Sequence, residues 1–140
     1  METFRWHTRH YDISRLLADL RDGVIKPALI DLSPEFVARY GQMFLVRGEA
    51  GPVDIDILHV LSNSQAMLNK PAVLLHVGDD GGLIAFDEEE GIDAHWIVGD
   101  GNHRVLAAGL ERCGMKAYRL TREETARYEV PQADDPRLLL

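Results

Sequence analysis

One junction constrains this chain more than any other. The apolar run His95–Val98 is broken by Gly99-Asp100-Gly101, and a helix-forming stretch from Asn102 to Arg112 follows. A run of that length reads as a strand, and glycines at its end turn the chain before the helix begins. A second run, Ala72–Val77 (AVLLHV), is apolar almost throughout, the pattern of a strand covered on both faces. Strand runs alternating with helical patterns imply a mixed α/β fold, a small mixed sheet carrying helices.

The flanking segments fit that class. Ile13, Leu16, Leu17 and Leu20 recur at helical spacing, so Ile13–Arg21 reads as a helix with Asp12 or Ser14 as its cap and Gly23 beyond its end. Val24–Leu32 reads as a strand weakened at its start by Pro27. Ser33-Pro34-Glu35 is a helix start, with a helix expected to about Tyr40, a stop at Gly41 and a short strand over Met43–Val46. Gly48–Pro52 reads as a turn, and Asp54–Leu68 as a helix halted by Asn69-Lys70-Pro71. Gly78–Gly82 is a turn, Leu83–Phe86 a hairpin partner and Asp87–Gly91 an acidic loop. Gly114 is expected to end the motif helix, with a strand over Lys116–Leu120 and a last helix over Thr121–Tyr128. Thr121 and Glu124 there have capping-box spacing. The tail from Val130 reads as irregular. No repeat or linker divides the sequence, so residues 1–140 are read as one domain with its core at about 25–120.

Composition narrows the partners. The formal net charge is −8, which argues against double-stranded DNA as the main ligand, because gripping many phosphates takes a basic face. A small anion needs only a few aimed donors and remains compatible. No window is apolar enough for a membrane-spanning helix, METFRWHTRHYD has no secretory core, and Cys113 is the one cysteine. A cytoplasmic protein without membrane contact is the expectation.

The junction also carries the candidate chemistry. Gly99 and Gly101 permit unusual backbone angles and close approach to the main chain. The helix start brings free N–H groups and the positive end of the helix dipole, a ready anion site. His103 and Arg104 stand in the first turn, where a cation opposes the dipole unless an anion lies nearby. A guanidinium offers a planar fork of donors to phosphate oxygens. The same residues also read as an ordinary helix capped by Asp100 or Asn102, with Arg104 solvated. The third glycine of a dinucleotide fingerprint is missing, since Arg104 occupies that place, and no Gly-Lys-Ser/Thr of a P-loop follows.

The segment GDGNHRVLAA, Gly99–Ala108, resembles the signature turn and helix of the ParB/sulfiredoxin superfamily. The Asp-Gly-x-His-Arg form is complete at Asp100, Gly101, Asn102, His103 and Arg104, the form of ParB-like serine kinases and of stand-alone ParB-like proteins. The Gly-Glu-Arg-Arg of partition proteins matches at Gly101 and Arg104. The Gly-Gly-Cys-His-Arg of sulfiredoxins matches at Gly101, His103 and Arg104, with Asn102 where the catalytic cysteine stands. The resemblance implies a nucleotide (ATP, ADP or CTP) with Mg²⁺, its phosphates held by Gly99, Gly101, Asn102, His103 and Arg104. It also implies hydrolysis of that nucleotide or phosphate transfer to a small acceptor. Asp100, His103 and Arg104 are the catalytic candidates, with Asp100 acting as base, as metal ligand or only as cap. The alternative is an accessory or inhibitor module of plasmid or phage origin that works through a protein or DNA partner, with nuclease activity as a further variant. About 20 residues follow Leu120, too few for the helix-turn-helix and dimerisation segments of partition proteins.

Other candidates are weaker. Glu35, Asp54 and Asp56 are possible second carboxylates, each also a helix-start residue. Asp87–Glu90 reads as a solvated loop, and Leu138–Leu140 as a possible protein contact. His7, His10, His59, His76 and His95 form no zinc pattern with Cys113.

Overall fold

A computed structural model describes residues 3–46, 70–78, 82, 84–85 and 94–131. The expected helix over Asp54–Leu68, the Gly48–Pro52 turn, the acidic loop, Asp54, Asp56, His59 and Leu138–Leu140 lie outside these residues.

The fold is mixed α/β. Strands β3 (Ala28–Leu32), β4 (Ala72–His76), β5 (Trp96–Asp100) and β6 (Met115–Arg119) form a sheet of order β3-β6-β4-β5. The β4–β6 pair is parallel, whereas β3–β6 and β4–β5 are antiparallel. Helices α1 (Ile13–Arg21), α2 (Pro34–Val46), α3 (Asn102–Leu110) and α4 (Arg122–Ala126) are described with it. The AVLLH run of β4 is central and buried at Ala72 through Leu75, as an apolar run without alternation requires. Val37 and Tyr40 of α2 and Val105 and Ala108 of α3 are buried in the same core as Leu74, Ile97 and Val98.

A second sheet was not expected. Strands β1 (Thr3–Trp6) and β2 (Arg9–Asp12) form a hairpin, and β7 (Glu129–Val130) pairs with β2. Phe4, Trp6 and Tyr11 face the core, so the alternation is present in the sequence but spans only four residues per strand. β7 also takes Val130 out of the irregular tail.

Local chemistry explains most boundaries. Asp12 Oδ1 accepts from the Arg15 amide at 3.0 Å and caps α1, and Ser33 Oγ accepts from the Phe36 amide at 3.1 Å at the start of α2. At α4, Thr121 and Glu124 form the reciprocal capping box. Other boundaries differ from expectation. β3 begins at Ala28, after Pro27, rather than at Val24. α2 runs through Gly41 to Val46, so Met43–Val46 is helix and not strand. A glycine inside a helix costs about 1 kcal/mol, which does not stop one that has tertiary support. β5 continues through Gly99 to Asp100, which pairs with Val73, so the chain breaks only at Gly101. α3 ends at Leu110, and Arg112 follows it with φ 55°. β6 is shifted one residue toward the N-terminus, and α4 is shorter than expected at both ends. Of Leu83–Phe86, Ile84 bridges to Trp96. No helix among the described residues is long and apolar enough to cross a membrane.

Candidate functional site

The turn between β5 and α3 is built by one residue, Gly101. It is the N-cap of α3 at φ 95°, ψ 22°, a left-handed conformation, and it brings no side chain to cap the first N–H groups. A Cβ here would also stand 3.1 Å from Ala72 Cα and 2.9 Å from Arg104 Nη2. Neither Asp100 nor Asn102 caps the helix, contrary to the bland expectation. Asn102 is buried; its Nδ2 donates to the Val98 carbonyl at 2.8 Å and its Oδ1 has no hydrogen-bond partner among the described residues.

Gly99 plays a different part from the one expected of it. It lies inside β5, and a Cβ there would collide with Leu75 Cδ1 and Cγ. Its glycine is required by packing against β4 and not by a positive φ. The strand is held from its other side by Tyr40, whose buried hydroxyl accepts from the Val98 amide at 3.2 Å. Burial raises the Tyr40 phenol far above its usual range, so it stays neutral.

Arg104 reaches back over the turn. Its Nη2 donates to Asp100 Oδ2 at 2.7 Å and to the Pro71 carbonyl at 3.2 Å. The pair is largely screened from solvent, with side chains 20% and 14% exposed. Arg104 Nε is buried without a hydrogen-bond partner among the described residues. The arginine is therefore not solvated. It is also not turned outward toward a guest: an internal carboxylate holds the fork. His103 is half-buried on the same first turn.

This geometry brings Asp100, Gly101, Asn102, His103 and Arg104 together within one strand end and one helix turn, and leaves Gly99 in the sheet. Glu35 is exposed at the first turn of α2. No group of three metal-ligating side chains occurs among the described residues. Mg²⁺ at this turn would find one carboxylate, Asp100, already engaged by Arg104, and would have to draw its other ligands from nucleotide oxygens and water. The turn by itself does not form a metal cage.

Sequence reasoning passed over two residues here. Pro71 serves through its carbonyl, and Tyr40 through a hydroxyl 58 positions from its partner. No local signal marks either contact. In comparisons with known proteins, no family model, no curated protein and no solved structure matches this chain.

Proposed function

We propose that the mouth of α3 binds the phosphates of a nucleotide, with transfer to a small acceptor or hydrolysis as the reaction class. The observation that carries the reading is the cap. Gly101 starts α3 without a side-chain cap hydrogen bond, and a helix start of that kind presents main-chain donors and the positive end of the dipole to an anion. Arg104 supplies the positive charge beside them, and its buried Nε is a donor still to be satisfied. The ParB-like Asp-Gly-x-His-Arg order supports the same assignment. In this reading Asp100 is the resident anion that keeps the guanidinium aligned until a phosphate, with more charge and more acceptor oxygens, displaces it. Arg104 and His103 then offset negative charge on the transferred group. Mg²⁺ supplies further charge neutralisation when a nucleotide brings it.

The Asp100–Arg104 pair favours a second reading as well. A turn whose cation is already neutralised suits a binding module that works through a protein partner without turnover. A thermal-shift panel of ATP, ADP, CTP and GTP, with and without Mg²⁺, separates the two. A ligand that binds only the folded state raises its stability, so the first reading expects at least one nucleotide to raise the Tm. A flat panel over millimolar nucleotide leaves the partner-binding reading.

A further inference from the structure

At the opposite end of β4 from the α3 mouth lies a cavity of about 70 Å³. Its wall draws on four elements: Arg9 from β2, His76 and Gly78 from the end of β4, Arg122 and Thr125 from α4, and Glu129 from β7. Residues far apart in sequence therefore converge on one small polar space where the two sheets and α4 meet.

Charge and chemistry point to what it holds. Among the described lining residues two guanidiniums, Arg9 and Arg122, stand against one carboxylate, Glu129, in a chain whose total is −8. Arg9 is half-buried and Arg122 stands on the exposed rim. Each guanidinium carries five N–H donors, so a contact within the protein leaves donors for a guest. Thr125 is buried, at 3% exposure. Its oxygen accepts from the His76 amide at 2.9 Å, and a hydroxyl that accepts one bond still carries a proton to donate. Gly78, buried just past β4 and at φ 62°, turns the main chain along the cavity wall. One water needs roughly 10–15 Å³ of such space, so the volume takes about five to seven waters, room enough for a phosphate group.

We propose that this cavity is a second binding site, for a small oxyanion of phosphate or carboxylate type. Arg9 and Arg122 hold the charge, and Thr125 donates its hydroxyl proton. Glu129 accepts the proton that a hydrogen phosphate or a neighbouring hydroxyl on the ligand carries. The site is independent of the α3 mouth and stands or falls without it.

An amide-resolved NMR titration of the full chain tests this, with inorganic phosphate as the probe and ionic strength held constant with chloride. The expected result is saturable shifts at the Val77, Gly78 and Thr125 amides. Arg9→Ala and Arg122→Ala each weaken the affinity at least ~10-fold. A parallel titration with acetate distinguishes the sources: saturation by both anions supports a general oxyanion site, and saturation by phosphate alone supports a tetrahedral one. The proposal is overturned if wild type shows no saturable shift at these amides, or if the shifts fall only at residues 101–104. It is overturned equally if both arginine variants, with dispersed spectra, bind as wild type does. The wild-type map stands even where a variant does not fold.

Discussion

Asp100 and Arg104 meet across the turn where β5 becomes α3, carboxylate Oδ2 to guanidinium Nη2, 2.7 Å apart and one helical turn apart in sequence. The contact ties the last residue of a strand to the first turn of the next helix. It is shielded enough to be worth more than a surface ion pair, whose median value is about 0–1 kcal/mol. It also decides how the candidate site has to work, because the carboxylate stands where an anionic guest would bind.

Asp100→Asn therefore separates structure from binding. Loss of the charged hydrogen bond is expected to cost about 1–2 kcal/mol of stability by urea denaturation. The freed guanidinium should bind nucleotide several-fold more tightly in metal-free buffer, as read by isothermal titration. Unchanged or weaker affinity would remove the displacement model.

Arg104→Ala acts in the opposite direction. It should weaken nucleotide binding at least ~10-fold, about 1.4 kcal/mol. It also leaves Asp100 without its partner, so the melting temperature falls. Equal affinities for wild type and variant, measured calorimetrically, would take Arg104 out of the site.

The two glycines of the turn should respond differently. Gly99→Ala places a Cβ against Leu75, and such overpacking costs about 1–3 kcal/mol while the folded fraction keeps its ligand affinity. Gly101→Ala forces a side chain into a left-handed conformation beside the Ala72 main chain, with a backbone cost of roughly 1–2 kcal/mol before the contacts are counted. It should reduce affinity as well, because the helix mouth moves. Denaturation and titration of both variants check the contrast; matching affinity losses would contradict it.

Thr121→Ala removes one half of the α4 capping box and should cost about 1 kcal/mol. Because α4 carries Thr125 against the end of β4, hydrogen exchange at the His76 amide should quicken in this variant. Unaltered exchange there would show that α4 holds its place without its cap.

Tyr128 gives the chain an alkaline sensitivity. Burial, then the 2.8 Å bond its hydroxyl donates to Asp19, push its phenol from the usual value of 10.0 up to about 12. The unfolded chain loses this proton at its ordinary pKa, whereas the folded chain keeps it, so the unfolded state binds fewer protons in that interval. Stability should thus be full below pH 10 and fall as pH rises toward about 12. Tyr128→Phe should flatten that slope in chemical denaturation measured across the interval; an equally steep slope would assign it to other groups.

Helix starts were the most legible features. Asp12, one of two candidates beside Ser14, caps α1, and Ser33 and the Thr121/Glu124 pair cap where their positions imply, because capping is decided within three residues; at α3 neither Asp100 nor Asn102 caps. Ends and short strands were less so. Gly41 reads as a stop yet lies inside α2, and β1, β2 and β7 are too short to announce themselves without their partners. At the candidate site, a glycine turn between a strand and a helix was readable from spacing, but the orientation of Arg104 was not.

The sequence alone determined the order of the principal apolar runs, the caps of α1, α2 and α4 and the presence of a turn before α3, since each depends on neighbours along the chain. Tertiary structure decided which glycine serves packing, which serves the turn, and where the guanidinium points. Those outcomes rest on Leu75, Ala72 and Pro71, residues that β4 brings beside β5 by a pairing that no local stretch of sequence encodes.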